Sequence, residues 1–144
     1  MLNQTLIDSG FLYALFDHDD RYHQAVLEVQ ESETAQGLVP DIVLVETTFL
    51  ARRAGGVPAM VRFLADFEAT DFHLIPLTRP DLGRAREILD TYASARLDFV
   101  DACLMALSER LDIRRVCTID STDFRIFRPQ HCDHLEILPG TFPR

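Results

Sequence analysis

DFVDACLMALSERLDIRRVCTID, residues 98–120, reads as a helix, a loop, a strand and a closing carboxylate. Asp98 stands just before an apolar run, where its side-chain oxygen can accept from an orphan N–H of a first turn. A helix is therefore expected from Asp98 to about Leu111. Residues 114–119 (RRVCTI) follow as a short strand, and Asp120 ends it. Helix followed by strand is the unit from which a parallel sheet covered by helices is built.

The same unit recurs toward the N-terminus. Residues 4–8 (QTLID) read as a buried strand, and residues 9–17 as the helix after it. Tyr22, Ala25, Val26 and Val29 recur at helical spacing within residues 20–35. A second short strand spans residues 37–39 and is stopped by Pro40. Asp41 caps a helix through Arg53, Gly55-Gly56 breaks it, and a further helix covers about residues 58–70. Residues 72–77 (FHLIPL) form a third strand, and Pro80 and Asp81 open a helix to about Ala93. An apolar run, residues 135–138, supplies a fifth strand. The expected fold is a three-layer α/β/α arrangement around a parallel sheet of four to five short strands. One domain is expected to span residues 1–144, a length sufficient for a single core.

Composition narrows the function. Hydrophobic residues make up 47% and charged residues 26%, which excludes a disordered chain. No apolar run approaches the roughly 18 residues needed to cross a bilayer, and MLNQTLIDSG lacks the pattern of a signal peptide. The chain is read as cytoplasmic, with no membrane partner. Cys103, Cys117 and Cys132 are too sparse for a disulfide framework. His131, Cys132 and His134 lack a second ligand pair at zinc-site spacing, so they read as a surface loop. The net charge of −9 is unfavourable for nucleic-acid binding unless cations neutralise part of it. All the basic residues are arginines; there is no lysine. Arg52 and Arg53, beyond Glu46 on one helix, are candidates for RNA backbone contact or for complementing the helix dipole.

Four acids carry the chemistry. Asp8 and Asp120 each end a strand, and in open α/β sheets ligands gather at the carboxyl ends of the strands; taken singly, each reads as readily as a cap of the helix or turn that follows. Glu46 falls in DIVLVETTFLA, with Ile42, Val43, Phe49 and Leu50 at three and four residues, where a lone charge needs a partner or a metal. Asp101 sits likewise among Leu97, Leu104 and Met105. Asp98 either caps its helix or reaches the same cluster, as does Asp123, three residues after Asp120. Clustered carboxylates repel one another unless protonated or bound to cations, and oxygen-only ligands suit Mg²⁺ or Mn²⁺, ions of phosphate chemistry.

On these residues the sequence resembles the PIN-domain family and, within it, the VapC-type toxins of bacterial toxin–antitoxin pairs. The carrying motifs are Ile7-Asp8-Ser9, the segment from Asp20 to His23 with Ala25, Glu46, FVDACLMALSERLDIRRVCTID and Asp123-Phe124. Asp8, Glu46, Asp101 and Asp120 match the family's acidic site, and Ser9 and Thr118 its supporting hydroxyls. Gly10 departs from the pattern, since many relatives carry Ser or Asn there. The resemblance implies Mg²⁺- or Mn²⁺-dependent cleavage of RNA, a homodimer, and a cognate antitoxin whose basic segment blocks the site. In that mechanism Asp8 and Asp101 hold the main ion, Asp120 contributes directly or through water, and Glu46 holds a second ion or orients the attacking water. Receiver domains, haloacid-dehalogenase-type phosphatases and P-loop enzymes share acids at strand ends or the layered fold, but each relies on a lysine that this chain lacks. The other class left open is a PIN-fold RNA-binding or regulatory module that no longer cuts.

Overall fold

The computed structural model describes residues 3–140. Five parallel strands lie in the order β3-β2-β1-β4-β5. They are β1 Gln4–Ile7, β2 Gln36–Pro40, β3 His73–Ile75, β4 Arg115–Cys117 and β5 Glu136–Leu138. The helices are α1 Ser9–Phe16, α2 His23–Ser32, α3 Asp41–Glu68, α4 Arg79–Thr91, α5 Phe99–Arg110 and α6 Ser121–Ile126. Among these described residues no helix is long and apolar enough to cross a membrane.

Strand order follows from chain direction. From β1 the chain steps outward to β2 and β3, then returns to the other side of β1 for β4 and β5. Parallel crossovers are right-handed, so reversing direction puts the later helices on the opposite face. The helix contacts agree: α1 packs on α2 and α3, while α4 packs on α5 and α5 on α6. The middle strand β1 has Leu6 and Ile7 buried, and α5 buries every residue from Asp101 to Ser108. Such near-continuous burial is what a sheet covered on both faces demands.

The break expected at Gly55-Gly56 is a kink inside α3. Gly55 has φ −148° and Gly56 φ +73°, the latter a conformation that only glycine adopts without strain. Pro58 then begins the next turns, where a missing N–H costs nothing. α6 is absent from the sequence reading: six residues, STDFRI, are too few to show a helical period.

Candidate active site

The direction reversal leaves a crevice between β1 and β4, the place where open α/β sheets bind ligands. Asp8 follows β1 and Asp120 lies three residues past β4, so strand topology brings both carboxylates to one rim. Asp8 is only 6% exposed. Its backbone N–H donates to Cys117 O at 2.9 Å. Its Oδ1 accepts from Ser9 N at 2.7 Å and its Oδ2 from Thr118 Oγ1 at 2.8 Å. Thr118 Oγ1 in turn accepts from Asp120 N at 3.0 Å. One buried hydroxyl thus orients acids from two strands.

Glu46 lies on the second turn of α3 and is half-buried. The apolar stripe expected around it is incomplete, because Phe49 and Val45 face solvent. Ser9 Oγ donates to Glu46 Oε1 and lies 3.4 Å from Asp8 Oδ1. The arginine that a purely structural Glu46 would need is missing among the described residues.

Asp98 and Asp101 form a reciprocal cap at the start of α5. Asp101 N donates to Asp98 Oδ1 at 2.9 Å, and Asp98 N to Asp101 Oδ2 at 3.3 Å. This capping use does not exhaust Asp101, because its carboxylate also meets the neighbouring acids. One oxygen from each of Asp101, Asp120 and Asp123 lies within 4.8 Å of the others. Asp120 occupies the N-cap position of α6, yet its side chain makes no capping bond. Asp123, left open as cap or ligand in the sequence, therefore belongs to the tightest group. Asp8 and Glu46 border that group without joining it.

Electrostatics separate these acids from the structural ones. Asp81 is held by Arg110 through bonds of 2.7 and 3.0 Å, and Glu109 by Arg84 at 2.6 and 3.1 Å. In both, the guanidinium outweighs the burial and holds the carboxyl below its ordinary range. Asp8 is instead pushed up to about 6 by burial, with the Glu46 and Asp98 charges adding and the Thr118 and Ser9 hydrogen bonds opposing. Burial, then the Asp98 and Asp8 charges, raise Asp101 to about 8. Asp123 is raised by burial and by Asp120. Asp8 and Asp101 are buried, Asp123 is half-buried and Asp120 exposed; with no basic partner among the described residues, this oxygen-only set fits a divalent cation.

Gly10 has a steric reason. A Cβ there would meet Ile119 Cγ1 at 2.7 Å, and Ile119 lies between Thr118 and Asp120. A serine or asparagine at this position would press on the Ile119 side chain. Arg52 and Arg53 are exposed, just before the α3 kink. His131 Nε2 is engaged by Ile113 O at 2.8 Å, in keeping with a loop role. A cavity of about 610 Å³ lies between the end of α1 and the α3 kink, lined by Tyr13, Phe16, Asp17, Phe63 and Asp66 among others. None of Asp8, Glu46, Asp101, Asp120 and Asp123 lines it.

The sequence profile of the family described as PIN domain matches residues 5–128. Ribonuclease VapC26 of Mycobacterium tuberculosis is 26% identical over 134 residues, covering 93% of this chain and 99% of that protein. The crystal structure of M. tuberculosis VapC20, described as a sarcin–ricin-loop-cleaving toxin, matches with a TM-score of 0.72 at 24% identity, over 78% of this chain and 86% of that one. A toxin–antitoxin complex from Klebsiella pneumoniae matches with a TM-score of 0.64 at 19% identity, over 83% and 89% of the two chains. At such identities the solved structures speak for the fold.

Proposed function

Because the chain belongs to the PIN-domain family, we propose that it is a divalent-cation-dependent ribonuclease and the toxin of a toxin–antitoxin pair. The observation that carries this reading is the group of Asp101, Asp120 and Asp123 oxygens within 4.8 Å, beside the buried Asp8. The curated relative's name, a ribonuclease, supports the same reaction class. A single domain spanning residues 1–144 carries the activity.

Asp8, Asp101 and Asp120 would hold Mg²⁺ or Mn²⁺, with Asp123 and Glu46 completing the set. The ion, when bound, neutralises charge on the scissile phosphate and makes water more acidic. The chain's own residues do the rest. Thr118 and Ser9 fix the Asp8 carboxylate from both oxygens. Glu46, held by the Ser9 hydroxyl, orients the attacking water and accepts its proton. Arg52 and Arg53 contact the RNA backbone. The acid cluster also fits a basic segment of a cognate antitoxin, whose arginine would supply the positive charge the carboxylates lack. A homodimer in the cytoplasm is the expected assembly.

The test is incubation of the purified protein with total RNA in Mn²⁺ and in EDTA, with mapping of the new ends. Cleavage in Mn²⁺ alone is the expected result. RNA bound but intact in Mn²⁺ would favour a binding module, and full cleavage in EDTA would remove the metal from the mechanism.

A further inference from the structure

An acidic site must obtain its grip on a polyanion from nearby groups other than the acids. Phe99, the first residue of α5, is 49% exposed and stands apart from the hydrophobic core. Lone exposed apolar residues are ordinary, so position decides the matter. Phe99 directly follows Asp98 and opens the helix that carries Asp101, which lies two residues further on and on another face of that helix. Two residues before Asp98 comes Arg96, exposed and in the left-handed conformation, φ +59° and ψ +35°. A bulky residue held there is uncommon and strained, and glycine would fit without strain. Arg84, Arg110 and Arg115 are bound up by carboxylates, whereas Arg96 has no ion pair or hydrogen bond among the described residues. The turn carrying it is anchored: Tyr92 OH accepts from Arg128 N at 2.9 Å, and the Tyr92 ring meets Phe127 edge-on at 6.0 Å.

Building on the nuclease reading above, we propose that Phe99 and Arg96 form a single-stranded RNA grip beside the acid cluster: Phe99 stacks on a base next to the scissile phosphate, and Arg96 pairs with a neighbouring phosphate. Unstacked bases are taken up on aromatic faces, and a guanidinium matches phosphate in a bidentate manner. A pre-anchored turn holds both groups ready, which limits the ordering lost on binding. Leu82 on α4 and Ile126 on α6 are also exposed, so a protein-binding face is the competing occupant to be tested.

The two residues predict different signatures. RNA affinity is read with a short fluorescein-labelled single strand in an Asp101→Asn background, where the RNA stays intact, and KM and kcat are read in the otherwise wild-type chain with Mn²⁺. Phe99→Ala should weaken binding and raise KM about ten-fold, with kcat nearly constant, and Phe99→Trp should restore both. The salt dependence should stay as in the parent. Arg96→Gly should flatten the slope of log affinity against log salt by about 0.7, the share of one phosphate on a single strand. The same variant should melt at or above the wild-type temperature, because it relieves the backbone, so lost binding cannot be ascribed to misfolding. Unchanged KM and affinity in Phe99→Ala, or a change in oligomeric state with RNA binding intact, overturns the proposal. Failure of the wild-type chain to cut any RNA in Mn²⁺ would count against the nuclease itself, a separate result from loss of the grip in a chain that still cuts.

Discussion

Thr118 Oγ1 donates to Asp8 Oδ2 at 2.8 Å, joining residues 110 positions apart across the crevice between β1 and β4. The same oxygen accepts from Asp120 N, so one side chain sets the spacing of two acids. Thr118→Val keeps the shape and removes both bonds. It should destabilise the fold by about 1–3 kcal/mol, because a buried acceptor loses its donor. The loss should be larger at pH 8 than at pH 5, since the bond favours the ionised form of Asp8, whose carboxyl titrates at about 6. Denaturant unfolding at the two pH values measures it, and Thr118→Ser should recover most of the difference. An equal loss at both pH values would mean that the hydroxyl does not stabilise the Asp8 charge.

Metal removal tests the acids as a group. Asp8 and Asp101 titrate at about 6 and about 8 in the folded chain, above the ordinary 3.8. The folded state therefore binds their protons more tightly than the unfolded state. Their stabilising contribution is full below about pH 4 and is lost as pH rises, through about 6 for Asp8 and about 8 for Asp101. In EDTA, Asp101→Asn should melt at or above wild type, by a margin that widens from pH 5 to pH 8, and an asparagine oxygen can still accept from Asp98 N. Adding Mn²⁺ at pH 8 should raise the melting temperature of the wild type more than that of the variant. Cleavage by the variant should fall to background. A variant that melts well below wild type in EDTA and still cuts RNA would make Asp101 structural.

The Ser9–Glu46 contact predicts an ordered pair of defects. Glu46→Gln removes the proton acceptor and should lower kcat about 100-fold or more, with little change in KM. Ser9→Ala leaves the carboxylate in place but untethered, so its loss should be smaller and of the same kind. Single-turnover cleavage of one RNA by the three proteins ranks them. A Ser9→Ala defect larger than that of Glu46→Gln would put the importance of Ser9 in its bond to Asp8.

Arg52 and Arg53 are exposed at the end of the first segment of α3. If they contact RNA, changing both to Ala should weaken binding and flatten its salt dependence by about 1.4, the share of two phosphates on a single strand. Titrations at low and high salt measure this. An unchanged slope with a small loss of helix stability would assign them to the dipole at the α3 break.

Much of the fold was legible because its signals are local. The cap at Asp98, the Gly55-Gly56 break and the short apolar runs ending at Asp8 and Asp120 are each written in a few neighbouring residues, whereas Asp41, expected as a cap, is the first residue of α3 after Pro40 and its carboxylate accepts from Leu77 N at 3.3 Å. The four acids stood out because a carboxylate beside an apolar run demands a reason. Local pattern could not say which acids meet. Asp98 and Asp101 cap the start of α5 reciprocally, yet only Asp101 of the two also groups with Asp120 and Asp123. Phe49 belongs to the apolar run around Glu46 by spacing, yet it faces solvent.

By itself, then, the sequence determined the α/β class, the positions of the strands and the set of candidate acids, because periodicity, caps and breakers act over one or two turns. Only the tertiary structure decided the strand order β3-β2-β1-β4-β5, the crevice between β1 and β4, and the grouping of Asp101 with Asp120 and Asp123. Gly10 could be read only against Ile119, and Arg84 and Arg110 are engaged by Glu109 and Asp81 while Arg96 has no such partner. The physical reason is range. A helix or a turn is specified by the residues within it, whereas the charge state of a carboxylate is set by burial and by groups from distant parts of the chain. Those groups become its neighbours only when the sheet has formed.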